Sequence, residues 1–191
     1  MALMTEPYWW YVLFVRASAE ERVVQDLQRF YSAGGKFDYA FEPFCPQSEY
    51  FYRSKKAQSA GKQYRKRALF PCYVFVETNM PSDVFLREFS AFVRSSPDIV
   101  RVLRYGGSDE IALPRDERMR FEYLFKGKRC VDHSVGYIAG DSIVVLNGPL
   151  IGREGVISRI DRHNRSAVIK LEMFGGTVEA KVALEIVEKT T

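Results

Sequence analysis

The side chains best placed to do chemistry are cations, gathered in "RSKKAQSAGKQYRKR", residues 53–67. Arg53, Lys55, Lys56, Lys62, Arg65, Lys66 and Arg67 put seven of the chain's 28 basic residues into 15 of its 191 positions. An even spread would put about two there, and no acid intervenes. Tyr50, Tyr52 and Tyr64 stand at the base of the run. Ammonium and guanidinium groups neutralise phosphates, and phenol rings stack on unpaired bases, so the pattern suits RNA or single-stranded DNA. A merely solvated surface is the alternative. A second basic group, Arg153, Arg159, Arg162, His163 and Arg165, falls in residues 140–189, whose seven Lys and Arg, four of them in this group, are balanced by seven acidic residues. That loop either extends a nucleic-acid footprint or is simply solvated.

Other chemistries find no support in residue spacing. Cys45, Cys72 and Cys130 lack Cys-x-x-Cys spacing, and neither His133 nor His163 has a second ligand nearby in sequence. Reduced thiols acting as small buried apolar groups are therefore expected, not zinc or a disulfide frame. Asp38, Glu42 and Glu49 form no recognisable acid–base pair, and the chain has no Gly-rich phosphate cradle. The expectation is a non-enzyme without metal or cofactor. Net charge is only +4, and the longest apolar stretch, "YWWYVLFV" (8–15), is far too short to span a bilayer. A cytoplasmic protein without membrane attachment is expected.

These groups need a frame. With 47% apolar residues, 14 Phe, 11 Tyr and 2 Trp, the chain has ample material for a core. "WWYVLFVR" (9–16) is apolar on both alternating faces, which predicts a central strand. Ser18 and Glu21 read as a capping box, followed by a helical stripe of Val23, Val24, Leu27, Phe30 and Tyr31. Residues 47–53 and "ALFPCYVFVE" (68–77) read as two strands of one long hairpin, 47–77, with the cations at its tip. Pro81 and Ser82 open a second helix, 99–104 is a strand, and Pro114 starts a third helix through 125. The order β-α-β-β-α-β predicts a ferredoxin-like α+β sandwich. Residues 126–138 lack periodicity and read as a linker. Short β-branched runs over 139–189 predict a small β-barrel.

Together, "WWYVLFVRA", "LFPCYVFVE" and "VVLNGPLIGREGVISRID", in this order across residues 9–189, resemble the NusG family of transcription elongation factors. The resemblance implies an NGN domain (8–125), a linker (126–138) and an SH3-like KOW domain (139–189). It implies docking on the clamp helices of RNA polymerase through an exposed aromatic patch of Trp10, Tyr11, Phe70, Pro71 and Tyr73. It also implies RNA contact by Arg53, Lys55, Lys56, Lys62, Tyr64, Arg65, Lys66 and Arg67. Further RNA or protein contacts, including other Nus factors or a ribosomal protein, would fall to Arg153, Arg159, Arg162, His163, Arg165 and Phe174. Cys72 stands where housekeeping members usually carry Gly, and Leu150 where Phe is commoner. With the strongly basic hairpin, these departures are similar to specialised paralogs, the LoaP class of antiterminators of long operons. The resemblance thus implies a monomeric factor that recognises a hairpin in nascent leader RNA. Alternatives are a general elongation and termination factor, or a KOW-type ribosome or rRNA-binding protein.

Overall fold

The computed structural model describes residues 8–34, 38–52, 63–106 and 108–187. In chain order the elements begin β1 (Trp9–Val15), α1 (Glu20–Gly34), β2 (Phe41–Phe44), β3 (Gln47–Tyr52), β4 (Gln63–Ala68) and β5 (Tyr73–Thr78). They continue with α2 (Ser82–Ser95), β6 (Ile99–Val102), α3 (Arg115–Phe125), β7 (Cys130–Val131) and β8 (Ser134–Ala139). The last are β9 (Ser142–Asn147), a 3-10 turn (Glu154–Val156), β10 (Ile157–Asp161), β11 (Ser166–Met173) and β12 (Gly176–Ile186). Two compact units form, one from residues up to Cys45 with Pro71–Arg118, the other from Pro46–Phe70 with Met119 onward.

The first unit is a four-stranded antiparallel sheet in the order β2-β5-β1-β6. β1 lies between β5 and β6, as its two apolar faces require. Tyr11, Leu13 and Val15 join Val23 and Leu27 of α1 and Phe85 and Phe89 of α2 in one buried cluster. Trp10 belongs to the other face, its ring edge-on to Phe44 and Phe75. The ferredoxin-like succession holds, but its second strand is Phe41–Phe44, not 47–53. The capping box is not formed either. Ser18 lies at φ 63, the helix begins at Glu20, and the Glu20 carboxylate accepts the Cys72 backbone N–H at 2.7 Å.

The expected strand 68–77 is broken, because residues 69–72 turn between β4 and β5. Pro71 has no N–H to donate, and Cys72 takes φ 70, a left-handed conformation that ends a strand. The hairpin is accordingly 47–68, with Gln47 opposite Ala68 and Tyr52 opposite Gln63. Its tip, with Arg53, Lys55, Lys56 and Lys62, lies outside the described residues.

In the second unit β3 takes β4 on one edge and, in parallel, β7 on the other. A five-stranded sheet runs β10-β11-β12-β8-β9, antiparallel except for β12 against β8. Residues 126–138 thus hold β7 and most of β8 rather than an unstructured connection. β7 has two residues and a partner some 80 positions away, so no local periodicity marks it. Gly148 shows how tightly the unit closes. At φ 102 it passes so near β8 that a Cβ would meet Ser134 Oγ at 2.5 Å and the His133 carbonyl at 2.6 Å.

Candidate nucleic-acid interface

On the hairpin, arginines and tyrosines pair diagonally across the ladder. The Arg65 guanidinium lies 3.6 Å from the Tyr52 ring centre, and that of Arg67 lies 5.3 Å from Tyr50. Such cation–π contacts offset part of the repulsion between neighbouring cations. Lys66 is exposed, and Tyr64 stacks at 4.3 Å on His133. Glu49 accepts the His133 backbone N–H at 2.7 Å and faces its Nδ1 at 2.9 Å. One carboxylate and one stacked ring therefore fix the root of the hairpin to the segment after β7.

The other anchor is Lys181 of β12, whose carbonyl accepts Ser48 Oγ at 3.1 Å and Arg67 Nη2 at 3.2 Å. These bonds bring the hairpin against the turn between β10 and β11. The resulting recess of about 280 Å³ is lined by Tyr50, Phe51, Arg67, His163, Asn164, Ser166 and Lys181. Burial lowers the Arg67 pKa from its ordinary value, opposed only by the nearby Tyr50. A wider hollow of about 450 Å³ is lined by Arg159, Asp161, Arg162 and Lys181 among others, so Lys181 borders both. Asp161 is committed to its turn, accepting the Asn164 backbone N–H at 3.0 Å and its side-chain amide at 2.7 Å. Those two bonds, side chain first, hold its carboxyl below the usual aspartate range.

The two basic groups that looked separate in sequence thus meet through Lys181, which sequence reasoning counted without assigning a role. Its signal was weak: one exposed cation between buried Ala180 and Val182 on an alternating strand. Arg165 is half-buried at φ 48, with its guanidinium 4.3 Å from the Phe51 ring and 3.7 Å from Glu185. Arg153 instead lies over Tyr123 at 4.4 Å. Phe174, at φ 54, is half-exposed in the two-residue turn between β11 and β12.

The aromatic patch differs from expectation. Phe70 was expected to stand exposed, yet it is 2% exposed and edge-on to Phe121 at 5.5 Å. Tyr11 belongs to the helix-facing core, with its hydroxyl donating to the Met80 carbonyl at 2.7 Å and its ring 4.2 Å from Phe85. That burial lifts its pKa to about 12. Trp10 is fully buried and donates from Nε1 to Glu77 at 2.7 Å. Pro71 is exposed and Tyr73 half-exposed. Aromatic content marks a patch in sequence, but it does not tell which rings the core takes.

Fold and site define a class: an α+β protein of two compact units that presents a basic, tyrosine-lined surface. Comparison with known proteins gives this class a family. A family model described as "Transcription termination factor nusG" matches residues 8–122, and the chain belongs to the NusG family. It is similar to the transcription termination/antitermination protein NusG of Borreliella burgdorferi, at 19% identity over 94% of this chain and 97% of that one. It is similar also to NusG of Bacillus subtilis, at 24% identity over 94% and 96%. A solved structure titled "Domain interaction in Thermotoga maritima NusG" shares the fold, with a TM-score of 0.54, 22% identity and 94% coverage of both chains. NusG-family proteins are non-enzymatic transcription factors that act with RNA polymerase. Among the described residues no helix is long and apolar enough to cross a membrane, and no cluster of three metal-ligating side chains occurs.

Proposed function

We propose that this chain is a specialised antitermination factor of the LoaP kind. In this reading it rides on RNA polymerase, recognises an element of nascent leader RNA, and suppresses pausing and termination in long operons. The observation that carries the reading is the joining of Arg65, Lys66 and Arg67 with Lys181, Arg159 and Arg162 in one unit, interleaved with tyrosines. Cations in such a row neutralise successive phosphates, and the rings accept unpaired bases. Residues 8–125 would supply polymerase docking, and the segment from 139 onward would extend the RNA contact. Docking falls to the sheet face of Trp10 together with Pro71 and Tyr73. Because Trp10 is fully buried here, engaging a partner through it requires a rearrangement that uncovers it.

The test is the double reversal Lys66→Glu with Arg67→Glu. It is expected to abolish binding to leader RNA from the operon that the factor serves, while polymerase capture stays at the wild-type level. RNA affinity equal to wild type at low salt would reduce the hairpin to a solvated surface. Loss of polymerase capture at unchanged melting temperature would mean that docking and RNA binding share one surface.

A further inference from the structure

Resting on the reading that this surface binds RNA, we propose that the recess beside Tyr50 takes a single unpaired ribonucleotide, its base stacked on Tyr50 and its phosphate held by Arg67 and Lys181. The volume sets the scale. About 280 Å³ falls just below the roughly 300 Å³ at which small-molecule pockets begin, so it suits one nucleotide of a longer chain and excludes a helix. The charge sets the ligand's sign: the lining carries the cations Arg67 and Lys181, and no carboxylate. The one acid of the adjoining turn, Asp161, is bound to Asn164.

Of the two tyrosine rings under arginines, Tyr50 has the looser contact and lines the recess. Arg65 sits on Tyr52 at 3.6 Å, a closed pair, whereas Arg67 stands 5.3 Å from Tyr50 and is tethered to the Lys181 carbonyl. Phe51 is covered by Arg165 at 4.3 Å and packs edge-on with Tyr64 at 6.1 Å. The wall also holds unused hydrogen-bonding capacity. Among the described residues, Ser166 Oγ of this lining is buried without a hydrogen-bond partner. Buried polar atoms are nearly always satisfied, so this hydroxyl points to a partner that arrives with the ligand. An unpaired nucleotide brings base edges and a 2′-hydroxyl as such partners.

The experiment measures binding of the full chain to fluorescent homopolymeric pentaribonucleotides, the matching deoxy strands, and a blunt RNA duplex, by anisotropy at low salt. Wild type is expected to prefer at least one single-stranded RNA. Tyr50→Leu is expected to weaken that complex about tenfold or more, the worth of one stacked base. Tyr50→Phe should restore it, and duplex affinity should not move. Independently of folding in any variant, a pentamer carrying 4-thiouridine should cross-link at Tyr50 or His163 in the wild-type chain. Equal weakening of single strand and duplex by Tyr50→Leu, preference for the deoxy strand, or cross-links only elsewhere would overturn the nucleotide site while leaving RNA binding intact. Binding to neither RNA form would overturn the site together with the reading on which it rests.

Discussion

At the scale of single residues, two positions change meaning once their conformation is known. Cys72 stands where housekeeping relatives are expected to carry Gly, and its φ of 70 supplies the physical reason. A left-handed L-residue costs about 1–2 kcal/mol, whereas Gly there costs only some 0.5–1 kcal/mol of extra chain entropy. Cys72→Gly is therefore expected to stabilise the chain by up to about 1 kcal/mol, raising the melting temperature by roughly 2–4 °C. A lower melting temperature would show that the thiol's packing outweighs the backbone strain. Phe70 changes in the opposite sense. Read as an exposed anchor, it would be removable without harm to the fold. At 2% exposure against Phe121, Phe70→Ala should instead cost about 3–5 kcal/mol, visible as a lower denaturant midpoint. An unchanged midpoint, with polymerase capture lost, would return Phe70 to the role of an anchor.

At the scale of elements, what the sequence makes legible is whatever local periodicity encodes. β1, α2 and α3 lie where their apolar spacing and proline starts put them, and β9 to β12 supply the short strands expected after residue 138, whereas β8 falls almost wholly in the segment read as a linker. What periodicity misses is pairing between distant segments. β3 is a middle strand only because β7 pairs with its second edge, and nothing near Cys130 announces that partner. The site shows the same division: the cations of β4 were evident, whereas the Lys181 carbonyl that joins them to the 159–165 turn belongs to a strand 114 positions away. The β3–β7 pairing has a consequence for Cys130, which is 2% exposed with its thiol pKa raised chiefly by burial. In a variant of the whole chain with Cys45 and Cys72 replaced by Ser, Cys130 should react slowly with a maleimide at neutral pH. In a fragment of residues 126–191, which lacks β3, the same thiol should react much faster. Equal rates would mean that β7 is held without the hairpin and that 126–191 stands alone.

At the scale of the whole molecule, a net charge of +4 from 28 basic and 24 acidic residues is too small to hold a polyanion by its bulk field. At ordinary salt the screening length is only about 8–10 Å, so binding must come from cations close to the phosphates. The surface running from Arg65, Lys66 and Arg67 through Lys181 to Arg159 and Arg162 meets that condition. Arg65 and Arg67 lie over tyrosine rings, which confine them before any ligand arrives and so reduce the entropy lost on binding. The bound state should then announce itself through salt. Each phosphate neutralised on a single strand steepens the fall of log affinity with log salt by about 0.7. Reversing Lys66 and Arg67 removes two such contacts, so the slope should become shallower by about 1.4, in addition to the loss of affinity at any one salt concentration. Tyr50→Leu removes stacking but no charge, so it should lower affinity at every salt concentration while leaving the slope where it was. Titrations of both variants over the same salt range separate the two contributions. A Tyr50→Leu slope that shifts with the charge reversals would mean that the ring acts only by placing Arg67. A charge-reversal slope equal to wild type would mean that the phosphates are met elsewhere on the molecule.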